Sequence, residues 1–307
     1  MFINLELKLI FLPVKNILIM KRRTFIGTSA VATVGVLAYQ TTNAQEVKQD
    51  IEFKLKNNIN HSVCHWCFAD IPLEDFLIKL NELNIKAVDL MGPKEWPLLK
   101  KFNIHSAMCN GAEINLTEGF NDPEYHETLI DNYTKMIPLV AAAGYTNLIC
   151  FSGNRRGMDD ETGLQNCATA LKKLMPLAEK HGVVIQMELF NQRNHPDYMG
   201  DTSAWGIELC KQIGSENFKL LFDIYHMQIQ EGDIIQSIKD NHHYFGHYHT
   251  AGVPGRHEIN ETQELYYPAI MKAILDTGYK GYVAQEFIPA STEKIEALKQ
   301  GFLICDV

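Results

Sequence analysis

The chain has 307 residues, 46% of them hydrophobic and 21% charged, which is enough apolar sequence for a sizeable core and excludes a disordered or low-complexity polymer. Its 28 Lys and Arg against 37 Asp and Glu leave a net charge of −9, the wrong sign for a chain that neutralises phosphates along a nucleic acid.

Residues 21–27 read Lys-Arg-Arg-Thr-Phe-Ile-Gly, followed by a mildly apolar run from Thr28 to Tyr39 and a small-residue ending at Thr42-Asn43-Ala44. Paired arginines, a weak h-region and a Thr-x-Ala end together read as a twin-arginine signal, so residues 1–44 are expected to be removed and the protein to reach the periplasm already folded. Met20 sits directly before the basic run, which marks it as the expected initiator and residues 1–19 as an over-extended start. The h-region is too short and too mildly apolar to span a ~30 Å hydrocarbon core, and no membrane span is expected in the mature form. Residues 1–44 hold five basic residues (Lys8, Lys15, Lys21, Arg22, Arg23) and one acid (Glu6), so the remainder carries −13. Residues 45–60, rich in Lys, Gln and Asn, read as a solvated lead-in to a single domain at 61–307.

From residue 61 onward, short apolar or β-branched runs alternate with stretches of helical periodicity, the pattern of parallel strands joined by crossover helices. The expected strands are His61–Phe68, Ala87–Met91, His105–Asn110, Asn147–Gly153, Val183–Leu189, Lys219–Ile224, Tyr244–Thr250 and Tyr282–Phe287. Helical patterns fall at Leu73–Leu83, Pro123–Ala143, Leu164–His181, Thr202–Ile213, Ile234–Asp240, Pro268–Thr277 and Thr292–Leu303, with a short Pro-broken link at Pro93–Lys101. Asn84, Gly144, Gly182, Gly214 and Gly278 stand where helices should end in the left-handed conformation. Eight such units predict a (β/α)8 TIM barrel. The main competitor, an open doubly wound sheet, would bring a G-x-G-x-x-G turn, and none occurs.

The seven cysteines (Cys64, Cys67, Cys109, Cys150, Cys167, Cys210, Cys305) have no framework-like spacing, so no disulfide scaffold is implied. Cys64-His65-Trp66-Cys67 has the C-x-x-C form of redox and zinc sites, but no second pair follows and the segment reads as a strand. Ordinary barrel packing is expected there.

In a barrel the chemistry sits at the carboxyl ends of the strands, so a polar residue ending an apolar strand is a candidate. Four consecutive strands carry one: Glu188, Asp223, His249 and Glu286. Their separations of 35, 26 and 37 residues each match one β/α repeat, which brings all four to one mouth. Three carboxylates and an imidazole suit one divalent ion, Mn²⁺ or Mg²⁺ foremost, with Co²⁺ and Zn²⁺ also compatible. Without a cation such a group would be costly to bury. His226, three residues beyond Asp223, and Arg256, on the loop after His249, are candidate contacts to an anionic or polyhydroxy substrate.

The segments Glu-Leu-Phe-Asn (188–191), Phe-Asp-Ile-Tyr-His-Met-Gln (222–228), Gly-His-Tyr-His-Thr-Ala-Gly-Val-Pro-Gly-Arg-His-Glu (246–258) and Gln-Glu-Phe-Ile-Pro (285–289) resemble the hydroxypyruvate isomerase family. That family belongs to the xylose-isomerase-like TIM barrels, with ketose 3-epimerases, inosose dehydratase-like proteins and endonuclease IV. The resemblance covers roughly residues 61–304 and is strongest from 183 onward. It implies Glu188, Asp223, His249 and Glu286 as metal ligands, Glu188 and Glu286 as the acid/base pair, and His226 and Arg256 as substrate contacts. In one departure this chain has His249 as third ligand, as the epimerase branch does, where hydroxypyruvate isomerases proper tend to carry Gln; the acid expected a few residues later is Gly252.

The activity so implied is a metal-assisted proton shift beside a carbonyl, through an enediolate, as in conversion of hydroxypyruvate to tartronate semialdehyde. Glu258 is a candidate for orienting Arg256 or His226. Alternatives are a ketose 3-epimerase, or a catalytically silent periplasmic sugar-binding barrel, which would need no opposed pair of bases. A DNA-repair endonuclease of the same superfamily would want several zinc ions, more His ligands and a basic face. The expected partner is a small hydroxy-keto acid or sugar, with no nucleic acid; a homo-oligomer is left open.

Overall fold

The computed structural model describes residues 53–307. The expected export segment at 1–44 and the first half of the lead-in, residues 45–52, lie outside the described residues.

Eight strands occur in chain order: β1 Asn60–Val63, β2 Ala87–Met91, β3 His105–Cys109, β4 Asn147–Cys150, β5 Val184–Glu188, β6 Phe218–Asp223, β7 Phe245–Thr250 and β8 Tyr282–Gln285. All pair in parallel, in the spatial order β1-β8-β7-β6-β5-β4-β3-β2. The ring is nearly closed: β1 and β2 meet only through a single parallel bridge between Cys64 and Asp89. Among the described residues nine α-helices surround it: α1 Leu73–Glu82, α2 Trp96–Lys101, α3 His126–Ala143, α4 Asp160–His181, α5 Ser203–Ile213, α6 Ile224–Gln230, α7 Ile234–Asn241, α8 Tyr267–Asp276 and α9 Lys294–Cys305. The (β/α)8 barrel expected from the alternation is therefore present. None of these helices is long and apolar enough to cross a membrane.

Local chemistry sets the boundaries. The Asp159 side chain accepts from Thr162 N at 2.9 Å and starts α4, and Thr202 does the same for α5 through Trp205 N, satisfying amides that have no partner inside the helix. Gly144, Gly182 and Gly214 end α3, α4 and α5 in the left-handed conformation, which costs a residue without Cβ nothing.

Two apolar layers hold the barrel. The larger fills the space between strands and helices. The smaller, Met108, Ile149 and Leu221 with Leu90 and Phe151 packed on it, fills the bore. Truncating a wholly buried bore residue such as Leu221 to Ala would cost about 2–5 kcal/mol.

β1 departs from expectation. It stops at Val63, and His65–Phe68 form a 3₁₀ turn instead of strand. Cys64, Cys67 and Phe68 are buried while Trp66 is 45% exposed, a three-residue spacing that a two-residue strand period cannot give. The turn lifts Trp66 to the carboxyl-terminal mouth. All seven cysteines are buried and free.

Candidate active site

Each of the four strand-end residues owes its place to its strand. Glu188 is the last residue of β5, Asp223 the last of β6, His249 the penultimate residue of β7, and Glu286 follows β8 directly. Asp223 and His249 are register partners across β6 and β7. The structure brings all four together: one ligand atom from each lies within 4.8 Å of every other, and all four residues are buried. His249 Nδ1 is 2.7 Å from Glu286 Oε2 and 3.3 Å from Glu188 Oε1.

Asp223 has two duties. Its Oδ1 accepts from Tyr225 N at 2.8 Å and His226 N at 3.2 Å, capping α6, a helix that opens at once after β6. Its Oδ2 is left to face the cluster, where Arg256 Nη2 stands at 3.3 Å. The cap fixes the side chain's rotamer.

Arg256 enters from the loop between β7 and α8 with a left-handed φ of 60°, a conformation that costs a non-glycine residue about 1–3 kcal/mol. Backbone bonds hold it there: Arg256 N donates to Gly252 O at 2.9 Å, and Ile288 N donates to Arg256 O at 2.7 Å. Its guanidinium ion-pairs with Glu286 and Asp223 and donates to His226 Nε2 at 2.7 Å, with the rings of Trp66 and Tyr225 at 5.5 and 5.3 Å. Gly252 is required by the same loop, because a Cβ there would come within 2.6 Å of Glu258 O. An acid at that position has no room.

His226 is wholly buried and lies behind Arg256, packed edge-on against Phe190; it is not among the residues lining the cavity. Glu258 forms no side-chain hydrogen bond or ion pair with Arg256 or His226. It is buried, and its Oε1 accepts from Ser291 N at 2.7 Å, which ties the β7–α8 loop to the segment after β8.

Glu188 and Glu286 of the cluster, with Arg256, form the floor of a cavity of about 410 Å³ whose apolar walls are Trp66, Leu90, Leu116, Phe151, Phe190 and Ile288. Glu188 and Glu286 are its two lining carboxylates, and Arg256 its one cation. Trp66 was not singled out from the sequence, yet its Nε1 donates to Glu286 Oε1 at 2.9 Å. Asp89 was also missed: buried at β2, it lies beneath the cluster with its Oδ2 3.2 Å from His249 Nε2 and 2.6 Å from His247 Nε2. An acid inside the otherwise apolar run Ala87–Met91 was the available signal.

Electrostatics separate the two glutamates. Burial, and then the nearby Glu286 charge, push Glu188 up. Burial pushes Asp223 up to about 7 against the pull of Arg256. Burial also disfavours the Glu286 charge, but His249 and Arg256 override it and hold Glu286 well below the usual carboxylate range. His249 is desolvated too, yet the Glu286 charge keeps its imidazole well above its ordinary value. Burial, then Arg256, drive His226 well below its own.

Three carboxylates therefore share one arginine and one imidazole, and Glu188 Oε1 is buried without a hydrogen-bond partner. An orphaned carboxylate oxygen in a set of three oxygens and one nitrogen fits a divalent cation. The residues that would hold it are Glu188, Asp223, His249 and Glu286.

A family model described as xylose isomerase-like TIM barrel matches residues 96–303. Similar proteins include a 2-oxo-tetronate isomerase of Cupriavidus necator, 37% identical over 128 residues (42% of this chain, 47% of that protein). Another 2-oxo-tetronate isomerase, from Pectobacterium atrosepticum, is 24% identical over 72% of this chain and 88% of its own length. A putative hydroxypyruvate isomerase of Homo sapiens is 35% identical over 34% of this chain and 38% of that protein. The chain thus spans less than half the length of the Cupriavidus and human relatives. Among solved structures, a protein described as AP endonuclease, family 2, from Brucella melitensis superposes with TM-score 0.69 at 22% identity (79% of this chain, 96% of that one). D-psicose 3-epimerase of Clostridium cellulolyticum gives 0.67 at 16% (81% and 100%), and IOLI protein with a bound zinc atom 0.61 at 14% (80% and 95%). At such identities these structures show the shared fold.

Proposed function

We propose an isomerase, since this chain belongs to the xylose isomerase-like TIM barrel family: a divalent-metal-dependent enzyme that moves a proton beside the carbonyl of a small hydroxy-keto acid or sugar. The observation that carries the reading is the pair of buried glutamates, Glu188 and Glu286, which alone among the carboxylates line the cavity, on either side of His249. Relatives named 2-oxo-tetronate isomerase and hydroxypyruvate isomerase support a short 2-keto acid with an adjacent hydroxyl as substrate.

In this reading Glu188, Asp223, His249 and Glu286 hold the ion, Mn²⁺ or Mg²⁺ foremost. When bound, it supplies Lewis acidity that lowers the cost of negative charge on the substrate's oxygens. One glutamate takes the carbon-bound proton, leaving an enediolate, and a proton is returned to the neighbouring carbon while the hydroxyl proton passes to the former carbonyl oxygen; the two glutamates exchange roles in the reverse direction. In the ion-free protein Glu188 is the carboxylate more ready to hold a proton and Glu286 the one less ready. Arg256 offers the cavity's one cationic group to a carboxylate or sugar oxygen, and His226 holds that guanidinium in place. The apolar walls exclude water and strengthen each charge interaction on the floor.

A ketose 3-epimerase is the second reading. It is favoured by a cavity of about 410 Å³, roomy for a three-carbon acid, and by glutamates able to serve opposite faces of one carbon. The test is NMR in D₂O of the Mn²⁺- or Mg²⁺-loaded protein with hydroxypyruvate, 2-oxo-tetronate and common ketoses. Isomerisation puts deuterium beside a carbonyl that has moved; epimerisation puts it on C-3 with the carbonyl unmoved. Exchange in none of them, with binding retained, would leave a sugar-binding barrel. We also propose export by the twin-arginine route to the periplasm, which replacement of Arg22 and Arg23 by Lys should block in cell fractionation.

A further inference from the structure

Below the four-residue cluster lies a second buried group that the reaction does not use. Asp89 and His247 are each fully buried. Asp89 Oδ2 accepts from His247 Nε2 at 2.6 Å and from His249 Nε2 at 3.2 Å, while Asp89 Oδ1 and His247 Nδ1 have no partner. The two imidazoles stand at 82° to one another with ring centres 5.3 Å apart. Asp89 pairs with these two histidines alone among the basic residues described.

Placing this carboxylate in the bore disturbs the strand. The β2–β3 register shifts on both sides of Asp89, and Leu90, the next residue, has φ 60°. Asp89 also makes the lone bridge to Cys64 that closes the barrel. A bulge and a left-handed leucine beside a buried acid are costs that a strand carrying only core residues would not incur.

The two nitrogens of His249 face different worlds. Nδ1 faces Glu286 and Glu188. Nε2 faces Asp89 Oδ2 and, at 3.9 Å, the Cys64 sulfur. Carboxylates can only accept, so in the ion-free protein Nδ1 donates to Glu286 and Nε2 to Asp89; a cation held by the cluster would replace the hydrogen on Nδ1, and Asp89 would keep the one on Nε2.

We infer that Asp89, itself steadied by His247, is a positioning residue that fixes the tautomer and ring plane of His249 so that Nδ1 is the atom offered to a cation. The inference rests on the cation reading of Glu188, Asp223, His249 and Glu286. It adds two residues, on β2 and β7, that touch neither ion nor substrate. The physical logic is that of a ligating imidazole whose far N–H is anchored by a carboxylate, an anchor worth roughly 10- to 100-fold in affinity.

The test is Mn²⁺ binding by isothermal titration, paired with proton NMR of the ion-free protein. Asp89→Asn can donate as well as accept, so it no longer dictates the hydrogen on Nε2; it should bind Mn²⁺ roughly 10- to 100-fold more weakly with circular dichroism unchanged, and Asp89→Glu should recover part of the loss. In the wild-type protein the His249 Nε2–H should give a slowly exchanging downfield signal that Asp89→Asn abolishes. Should that variant not fold, His247→Gln, which leaves Asp89 one imidazole, should shift the same signal and weaken binding severalfold. Wild-type affinity in a folded Asp89→Asn, or no change of signal and affinity in His247→Gln, overturns the inference. So does a wild type that takes up two ions where Asp89→Asn takes one, since Asp89 would then be a ligand. Absence of Mn²⁺ uptake by wild type and variant alike overturns the cation reading instead, and the NMR signal tells the two failures apart.

Discussion

The two halves of the barrel do different work at one mouth. From β5 to β8, each successive strand delivers one ionisable side chain, and these meet within 4.8 Å. From β1 to β4, the same rim delivers Trp66, Leu90, Leu116 and Phe151, an apolar wall that touches the floor through the Trp66 N–H on Glu286, while Asp89 of β2 reaches His249 from beneath. Charges gathered on one side of a cavity and faced by hydrocarbon on the other act in a lower effective dielectric than charges spread around a ring. The seam of the barrel falls in the wall half, between β1 and β2, outside the run of strands that carries the four side chains.

The sharpest way to break this division is to neutralise the reactive half. Glu188→Gln or Glu286→Gln should lower turnover about 10³-fold, the order general acid-base catalysis contributes, with circular dichroism unchanged; full deuterium exchange in both variants would remove the acid/base assignment. Next in size is Arg256→Lys, which keeps the charge but loses the planar fork that reaches Asp223, Glu286 and His226 together. We expect kcat/KM to fall roughly 10- to 100-fold, since a hydrogen bond to a charged group is worth about 1.5–3 kcal/mol.

Changes in the wall should be milder. Trp66→Phe keeps the aromatic face and deletes only the N–H to Glu286, so a severalfold loss of kcat is expected, whereas Trp66→Ala should also raise KM by removing wall. A Trp66→Phe defect as deep as that of Glu286→Gln would move Trp66 into the reactive half. The smallest effect is on stability, at the other end of β1. Burial, opposed by Asp306, lowers the His61 pKa below its ordinary 6.5, so below that pH the unfolded chain binds a proton that the folded one resists. Stability should therefore fall as pH drops below about 6.5, by at most about 1.4 kcal/mol per pH unit, and urea unfolding of His61→Gln should show a flatter pH dependence.

Where the sequence was easy to read, one physical rule sufficed. Asn84, Gly144, Gly182, Gly214 and Gly278 all have positive φ at helix ends, because small residues tolerate the left-handed region and larger ones resist it. Glu188, Asp223, His249 and Glu286 stood out as polar endings on apolar strands. Where the reading went astray, two rules competed. His61–Phe68 mixes apolar residues with His61, Ser62 and His65 and does not declare its period, so a strand is expected where the turn that raises Trp66 forms. The place of His226 is set by a cap: three residues past Asp223 it is carried by α6 to lie behind Arg256, because the helix starts on the Asp223 side chain itself.

The sequence by itself determined the alternation of strands and helices, the count of eight and the four side chains that end consecutive strands, since each depends on neighbours within one β/α unit. Tertiary structure alone decided that Arg256 threads among the carboxylates, that Trp66 reaches Glu286 across 220 residues, and that Asp89 lies under His249 across 160. Those pairings arise from closing the ring, which sets residues from distant strands side by side at a separation that no local periodicity encodes.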